Sequence, residues 1–425
     1  MNDQFTKLSI DITKKLSSKE KKENGIYFTP NDIVKITVDN VQKYNKNIVK
    51  ILEPSCGSGQ YIDYINSIFQ NCEIIGIEYN TTIYENIKNK TLCTENNNSL
   101  KIIHKDFLKY GEDNDEYKYD LIVGNPPYYV MKTKDVIFSK KETSKYYEGR
   151  TNIFILFIIH SLKMLRKNGI LAFVLPKSFT NCIYYSKLRH HIYEKYCIIN
   201  IIDCSNSSYL ETKQDTIILI IQKSNDVSNN HKYNLHKDGM FILNTHDNIL
   251  KLKELYQNSY SLNFLGFDVF VGNVVWNEEK DLLTDDKTKT RLIYSSDIKD
   301  NKLQLIKYKN AQKKNYINKK GEIGQLLVVN RGYGVGTYKF EYALIDIPIE
   351  CNPEYLIENH LICIKYKNEE GGKNIEEIKK IYEMVMKSFS NPKTHEFIKM
   401  YFGNNAINTK ELQYVLPIYR NFMDD

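Results

Sequence analysis

Asn125-Pro126-Pro127-Tyr128 puts four chemically distinctive residues in a row. Two consecutive prolines lack backbone N–H groups and fix φ, so a strand running into them must stop there. The stop leaves a side-chain amide, the Pro126 carbonyl and an aromatic ring on a rigid corner. The amide oxygen and the carbonyl are acceptors, and the ring offers a flat face. Such a corner suits a planar substrate carrying an amino group. A tight turn with a packing tyrosine is the plain alternative, and residues elsewhere must decide between the two.

The elements around the motif follow a regular alternation. Short apolar runs at 48–52, 73–77, 100–103, 119–124, 170–175, 198–202 and 216–222 read as strands. Between them, helical spacing covers 31–41, 61–68, 80–89, 151–167 (with Gly169 as the stop) and 184–196. This pattern predicts an α/β fold: a doubly wound, mostly parallel, seven-stranded Rossmann-like sheet whose last two strands form an edge hairpin. Ligands of open α/β sheets bind at the carboxyl ends of the strands. Glu53-Pro54-Ser55-Cys56-Gly57-Ser58-Gly59 ends the first strand, Glu78 the second, and Asp106-Phe107 follows the third. Gly57 and Gly59 allow a ligand to approach the backbone closely. Ile62 stands where a dinucleotide fingerprint would have its third glycine, and no phosphate-loop Gly-Lys-Ser/Thr is present. Glu78 can accept from ribose hydroxyls, Asp106 can accept from an adenine amino group, and Phe107 can pack on the ring. Singly, each acid reads as an ordinary surface or capping carboxylate. Together, at three successive strand ends, they describe a pocket for an adenosine moiety.

With Gly25-Ile26-Tyr27-Phe28-Thr29-Pro30 upstream and Asn152 to Phe157 downstream, the order of motifs resembles that of the gamma-class, TaqI-type DNA adenine-N6 methyltransferases. The motif-level match covers residues 25 to about 222. The resemblance implies a methyltransferase catalytic domain using S-adenosylmethionine, followed by an α+β target-recognition domain. It implies that Asn125, Pro126, Pro127 and Tyr128 are catalytic, and that Tyr27, Thr29, Glu53, Pro54, Cys56, Gly57, Gly59, Glu78, Asp106, Phe107, Asn125 and Phe157 bind the cofactor or line its pocket. Tyr128 would stack on a flipped adenine in double-stranded DNA. Tyr209 resembles the family's second stacking aromatic, with a packing role as its alternative. The chain would be the modification enzyme of a restriction-modification system, or an orphan or viral methylase, with any endonuclease encoded separately. Protein glutamine and RNA methyltransferases share Asn-Pro-Pro-Tyr, cytosine-N4 enzymes usually begin the motif with Ser, and a catalytically silent DNA-binding specificity module is the rival from another class.

Composition sets outer bounds. The 425 residues are 42% hydrophobic, enough for two domains with sizeable cores. We expect a helical lysine-rich arm at 1–24, the catalytic domain at 25–223, a polar linker at 224–238 and the recognition domain at 239–425. No apolar run is long enough for a membrane span, and Met1-Asn2-Asp3-Gln4 lacks a secretory pattern, so a cytoplasmic or nucleoid location is expected, and a one-site, two-domain clamp needs no dimer, so a monomer is the default expectation. The eight cysteines lie apart without Cys-x-x-Cys spacing, so no metal is expected. A net charge of +7 favours a polyanionic partner. Candidate DNA contacts are Lys132 and Lys134 in the long polar stretch 129–150, Trp276 and Asn277, Lys313 and Lys314 within the lysine-rich 302–320, and Arg331 and Tyr333 in a glycine-flexed loop. A solvated surface is the alternative for each lysine run.

Overall fold

The computed structural model describes residues 4–91, 96–111, 118–131, 145–147, 152–207, 209–212, 214–304, 306, 308, 312–331, 340–347, 353–367, 372–402 and 407–419. The chain divides into two compact units: residues 1–236 with 241–249, and residues 237–240 with 250–425.

Seven strands make the frame of the first unit: β1 (Lys50–Glu53), β2 (Glu73–Glu78), β3 (Ser99–His104), β4 (Tyr119–Gly124), β5 (Leu165–Pro176), β6 (Cys197–Asp203) and β7 (Thr216–Gln222). They lie in the order β3-β2-β1-β4-β5-β7-β6. The first five are parallel, and β7 runs antiparallel to both β5 and β6. The expected doubly wound sheet with an antiparallel pair at one edge is therefore present.

Side chains alternate across this sheet with the two-residue period of a strand. Leu171, Phe173 and Leu175 of β5 join Ile217, Leu219 and Ile221 of β7 in one apolar cluster. Ile170, Ala172 and Val174 join Ile218 and Ile220 in the other. Both faces are covered, which is why these strands read as unbroken apolar runs. On the second face pack α1 (Lys7–Lys15), α3 (Asn31–Tyr44), α4 (Gln60–Ile68) and α5 (Thr81–Ile87), with α2 (Ser18–Asn24) leading into α3. On the first face lie α6 (Ile153–Met164) and α7 (Ser186–Lys195).

Topology decides where chemistry can occur. From β1 the chain winds outward to β2 and β3, then returns to lay β4 on the opposite side of β1. A crevice opens at such a reversal, outside the carboxyl ends of the strands. Glu53 ends β1 and Asn125 follows β4, so the reversal brings them together. A Cβ built on Gly124 would lie 3.5 Å from Glu53 Cγ.

Three expectations are corrected. The helix predicted at 151–167 ends at Met164, and β5 begins at once. Tyr119 pairs with Leu165 and Leu121 with Ile170, so residues 166–169 stand opposite Asp120 alone. Asn168, at φ 63°, and Gly169 shape that excursion inside a strand instead of stopping a helix. Arg166 pins it to Asp120 at 2.9 Å.

The stretch 224–238 is no free linker. Asn230 is 1% exposed; its side-chain oxygen accepts from Ile198 N at 2.6 Å, and its amide donates to the Tyr193 and Tyr196 carbonyls. Asn229 donates to Ile198 O, and the Tyr233 hydroxyl donates to Ile199 O. The segment is polar because it meets open backbone groups of the edge strand β6 at Ile198 and Ile199 and the carbonyls at the end of α7. The chain leaves the first unit only after two further short strands, β8 (Asn234–Lys237) and β9 (Met240–Leu243).

The N-terminal residues are helical, as expected, but not a separate arm. Phe5, Ile12 and Leu16 are buried in the cluster that holds α3 and α4. Lys14, Lys15, Lys19 and Lys22 are exposed, whereas Lys21 is 7% exposed and pairs with Glu211 at 2.7 Å.

The second unit is α+β. Its larger sheet is antiparallel, in the order Phe267–Val271, Leu361–Tyr366, Leu326–Asn330, Tyr342–Ile345. A second sheet combines Leu283–Thr284, Tyr316–Ile317, Thr290–Ile293 and Tyr355–Ile357. Helices Ile375–Phe389, Pro392–Tyr401 and Thr409–Tyr414 complete it, two of them opened by Asn-to-Glu capping boxes.

Candidate active site

Three turns meet at the crevice. The first is the glycine loop after β1. Gly57 and Gly59 hold φ values of 52° and 80°, a conformation that a side chain would strain. Cys56 N donates to Ile77 O at 2.9 Å, tying the loop to β2. Ser58 is held from the other side by the Ser9 hydroxyl of α1, at 2.8 Å. Cys56 and Pro54 are buried, and burial pushes the Cys56 thiol well above its ordinary range. Lys90, paired with Asp63 at 2.8 Å, lies across Gly59.

The second turn carries Glu78. One of its carboxylate oxygens accepts from Gly57 N at 2.9 Å, and the other from Asn80 N at 2.7 Å. The Tyr79 N–H bears on the carboxylate as well, so backbone donors take up much of its acceptor capacity. Burial pushes the carboxyl up to about 7, against the pull of those backbone donors. Beside it, Tyr79 leaves 67% of its surface in solvent, a ring the sequence reading passed over. Asp106 caps a short turn, Phe107–Lys109, by accepting from Leu108 N at 3.0 Å. Phe107, expected against a cofactor ring, is instead 1% exposed, its ring packed on Phe157 at 4.9 Å and His160 at 4.8 Å. Phe157 is buried with it.

The third turn is the motif itself. Asn125 Nδ2 donates to the Tyr27 carbonyl at 3.3 Å. The Tyr128 hydroxyl stands 2.5 Å from Asn125 Oδ1 and 2.8 Å from the Val174 carbonyl. Ser55 donates to the Asn125 carbonyl at 3.1 Å, linking the motif to the glycine loop. Tyr128 is half-buried, edge-on to Phe154 at 5.9 Å. Tyr209 is also half-buried, with its hydroxyl 3.1 Å from Thr216 Oγ1, and close enough to Tyr128 to bear on its ionisation. Thr29 is buried beside this turn's N-terminal neighbour, Phe28.

Glu53 has the most telling environment. It is 2% exposed, and its Oε2 meets no hydrogen-bond partner among the described residues. Burial, with Asp63 and Glu78 nearby, drives its carboxyl well above the usual carboxylate range. A buried orphan acceptor is costly unless a ligand satisfies it.

The second unit treats its candidate residues differently. Lys313 is half-buried between two rings, 4.1 Å from the Tyr294 centroid and 4.3 Å from that of Tyr308. Burial draws its pKa down. Lys314 pairs with Asp285. Trp276 packs on the small-sheet core, with Lys280 over its ring at 5.8 Å, and Asn277 is exposed. Arg331 is half-buried, and its backbone N–H reaches His360 O. Lys132, Lys134 and Tyr333 lie outside the described residues.

Comparison with known proteins fits this geometry. The model of the Eco57I restriction-modification methylase family matches residues 6–210. Over 98% of its length the chain is 27% identical to the Type II methyltransferase M.CvrRI of Paramecium bursaria Chlorella virus XZ-6E, covering 99% of that protein. It is 24% identical to the modification methylase CviBIII of Paramecium bursaria Chlorella virus NC1A, over 98% of this chain and 99% of that one. Among solved structures, the DrdV–DNA complex superposes with a TM-score of 0.54 at 13% identity, covering 98% of this chain and 57% of that protein. The first unit is a doubly wound, seven-stranded α/β domain, the fold expected above for a domain that uses S-adenosylmethionine.

The residues fit that cofactor. The orphan oxygen of Glu53 suits the ammonium of a methionine moiety, the remaining acceptor capacity of Glu78 suits ribose hydroxyls, and Gly57 and Gly59 supply the left-handed backbone that turns the loop between them. In the first unit the acids and the glycines converge on the edge that also carries Asn125.

Proposed function

We propose that this chain is a sequence-specific DNA methyltransferase that modifies the N6 amino group of an adenine turned out of double-stranded DNA. The observation that carries the reading is the Asn125–Tyr128 corner beside Glu53: acceptors and an aromatic ring fixed next to an orphan buried carboxylate. The relatives named as Type II and modification methylases along the whole chain support a modification role.

S-adenosylmethionine supplies an electrophilic sulfonium methyl, whose C–S bond breaks with its electron pair going to sulfur as the N–C bond forms. An exocyclic adenine nitrogen is a poor nucleophile because its lone pair is delocalised into the ring. The Asn125 side-chain oxygen and the Pro126 carbonyl accept from its two N–H groups, favour a pyramidal nitrogen and aim its lone pair. Pro127 holds the turn that keeps both acceptors in place. Most of the gain is positioning and preorganised electrostatics. The nitrogen becomes strongly acidic once alkylated, and its proton passes to solvent, so no general base is required. The target nitrogen is out of reach inside a duplex, so the base must leave the stack. Tyr128 receives the base, with Tyr209 as the second stacking candidate; stacking of this kind contributes about 1–3 kcal/mol. The enzyme acts as a monomer on one site, and an endonuclease, where one exists, is a separate chain.

The test is to incubate the protein with methyl-labelled cofactor and, separately, duplex DNA, RNA and protein, then identify the labelled residue. Label on adenine N6 is expected. Label on cytosine N4, glutamine or RNA would move the assignment to the corresponding amino-group methyltransferase. No transfer to any of them would leave a DNA-binding module.

A further inference from the structure

We propose that α2 couples cofactor binding to capture of the target base, with Glu20 and Lys21 as the two positioning residues. The proposal rests on the methyl-transfer reading above and goes beyond it by linking the two halves of the site.

α2 is seven residues long, Ser-Lys-Glu-Lys-Lys-Glu-Asn, and carries no apolar side chain. An isolated helix under about 12–15 residues is marginal in water, so this one depends on its neighbours for its order. With no apolar face to bury, it is placed by polar contacts, and these run to different turns of the crevice. Glu20 accepts from Asn80 Nδ2 at 2.8 Å. Asn80 follows β2; its backbone N–H holds Glu78 at 2.7 Å, and its side-chain oxygen accepts from Ile83 N at the start of α5. A shift of Glu20 therefore acts through one residue on the carboxylate assigned to the ribose.

Lys21, the next residue, reaches a different wall. It is buried, and its ammonium donates to Glu211 Oε1 at 2.7 Å and to the Thr13 carbonyl at 3.2 Å. Glu211 lies in the loop between β6 and β7, two positions beyond Tyr209, whose hydroxyl is 3.1 Å from Thr216 Oγ1. With the ammonium shielded from water, the pair is screened less than one between two exposed groups. At its end α2 meets the motif: Gly25 holds φ 62°, and a Cβ there would fall 2.6 Å from Tyr128 N. β2, β4 and β6 all run toward the same edge of the sheet. One short helix thus touches the ribose turn, the reaction corner and the stacking loop. A ligand that fixes one of these contacts helps to order the helix, and that order is then already in place for the second ligand.

The test measures binding of S-adenosylhomocysteine and of a duplex with 2-aminopurine at the position mapped by labelling, each alone and in the presence of the other. In the parent protein, saturating S-adenosylhomocysteine should tighten the duplex about tenfold and raise the 2-aminopurine fluorescence, and the duplex should tighten S-adenosylhomocysteine by the same factor. Glu20→Ala and Glu211→Ala each cut one link; the first side chain is half-buried and the second exposed. Each should bring the coupling below about twofold, while affinity for either ligand alone changes by less than about twofold. Because the links act in series, the double variant should lose no more coupling than either single one. Should Glu211→Ala melt early because Lys21 loses its carboxylate, Glu20→Ala, which leaves that pair intact, decides alone. Coupling retained above about twofold in a folded single variant would overturn the proposal. So would losses that add in the double variant, or a parent protein that methylates adenine yet binds the two ligands independently. A parent protein that transfers no methyl group to DNA fails the underlying reading instead, and the labelling experiment identifies that case.

Discussion

At the crevice of the first unit, Glu53 is 2% exposed and one of its oxygens meets no donor among the described residues; in the second unit, Lys313 is wedged between Tyr294 and Tyr308 with its charge against both ring faces. The first unit buries a polar group it does not satisfy. The second takes a charged group from the lysine-rich run and consumes it internally. Even the buried Arg291, whose Nε and Nη2 meet no hydrogen-bond partner among the described residues, lies over Tyr316 at 5.3 Å and keeps Asp297 at 3.9 Å. Burying an unsatisfied acceptor costs about 1–3 kcal/mol, and a fold retains one where a ligand repays it. Buried atoms without partners among the described residues also occur in the second unit, at Arg291, Gln325 and Asn359, so Glu53 marks the crevice through its place beside Glu78 and Asn125, whereas the charge of the second unit does not mark a contact surface residue by residue.

The comparison is broken most directly at Asn125. If the crevice is the reaction centre, Asn125→Ala should lower the transfer rate by about 10²–10³-fold, the usual cost of losing one preorganised polar contact in a transition state. Cofactor affinity, measured by calorimetry, should hold within about twofold, because Glu53 and Glu78 are untouched. A variant that turns over at half the parent rate would detach the motif from the chemistry.

Glu78 sharpens it next. Its carboxyl sits at about 7, raised chiefly by burial. Only the ionised form offers all its acceptor sites, so cofactor affinity should rise with pH and level off above about 7, weakening about tenfold per unit below that. Glu78→Gln should bind about tenfold more weakly at pH 8 and lose the pH step. The sign for stability is opposite. A carboxyl raised in the folded state holds its proton longer than in the unfolded chain, so its stabilising contribution is complete below the ordinary glutamate value and is lost as pH rises through about 7. A cofactor-free protein whose melting temperature climbed across that interval would contradict the buried placement of Glu78.

What could be read from residues alone follows the same division. The sheet was legible because β5 and β7 are apolar on both faces, and the crevice was legible because topology forces ligands to the carboxyl ends of its strands. Glu53, Glu78 and Asn125 could be assigned to one edge from strand ends alone. The contacts that Tyr27 and the Tyr128 hydroxyl make with Asn125 could not, because one is made by a backbone carbonyl, which every residue has, and the other depends on how the turn folds back on β5. The supposed linker was misread for a related reason. Asn229, Asn230 and Tyr233 look solvated by composition, yet they bond backbone groups of Ile198 and Ile199 on the edge of β6. Polar composition marks the need for hydrogen bonds without telling whether water or backbone supplies them.

The lysines of the second unit carry the smaller predictions. Lys313→Ala should destabilise the protein by about 1–2 kcal/mol through the loss of two ring contacts while leaving the salt dependence of DNA binding unchanged. A reduced salt slope without a drop in melting temperature would return Lys313 to the phosphate-contact group. Lys320 is the counterpart: it is exposed, and it follows Lys319, which is already paired with Glu279 at 3.0 Å. If this face meets the duplex, Lys320→Ala should leave melting unchanged and lower the slope of log affinity against log salt by about 0.9, the contribution of one phosphate contact. Paired measurements on the two variants separate a lysine that holds the fold from one that holds DNA. An unchanged slope for Lys320→Ala would remove this loop from the contact surface, and the duplex would then have to be held by other residues.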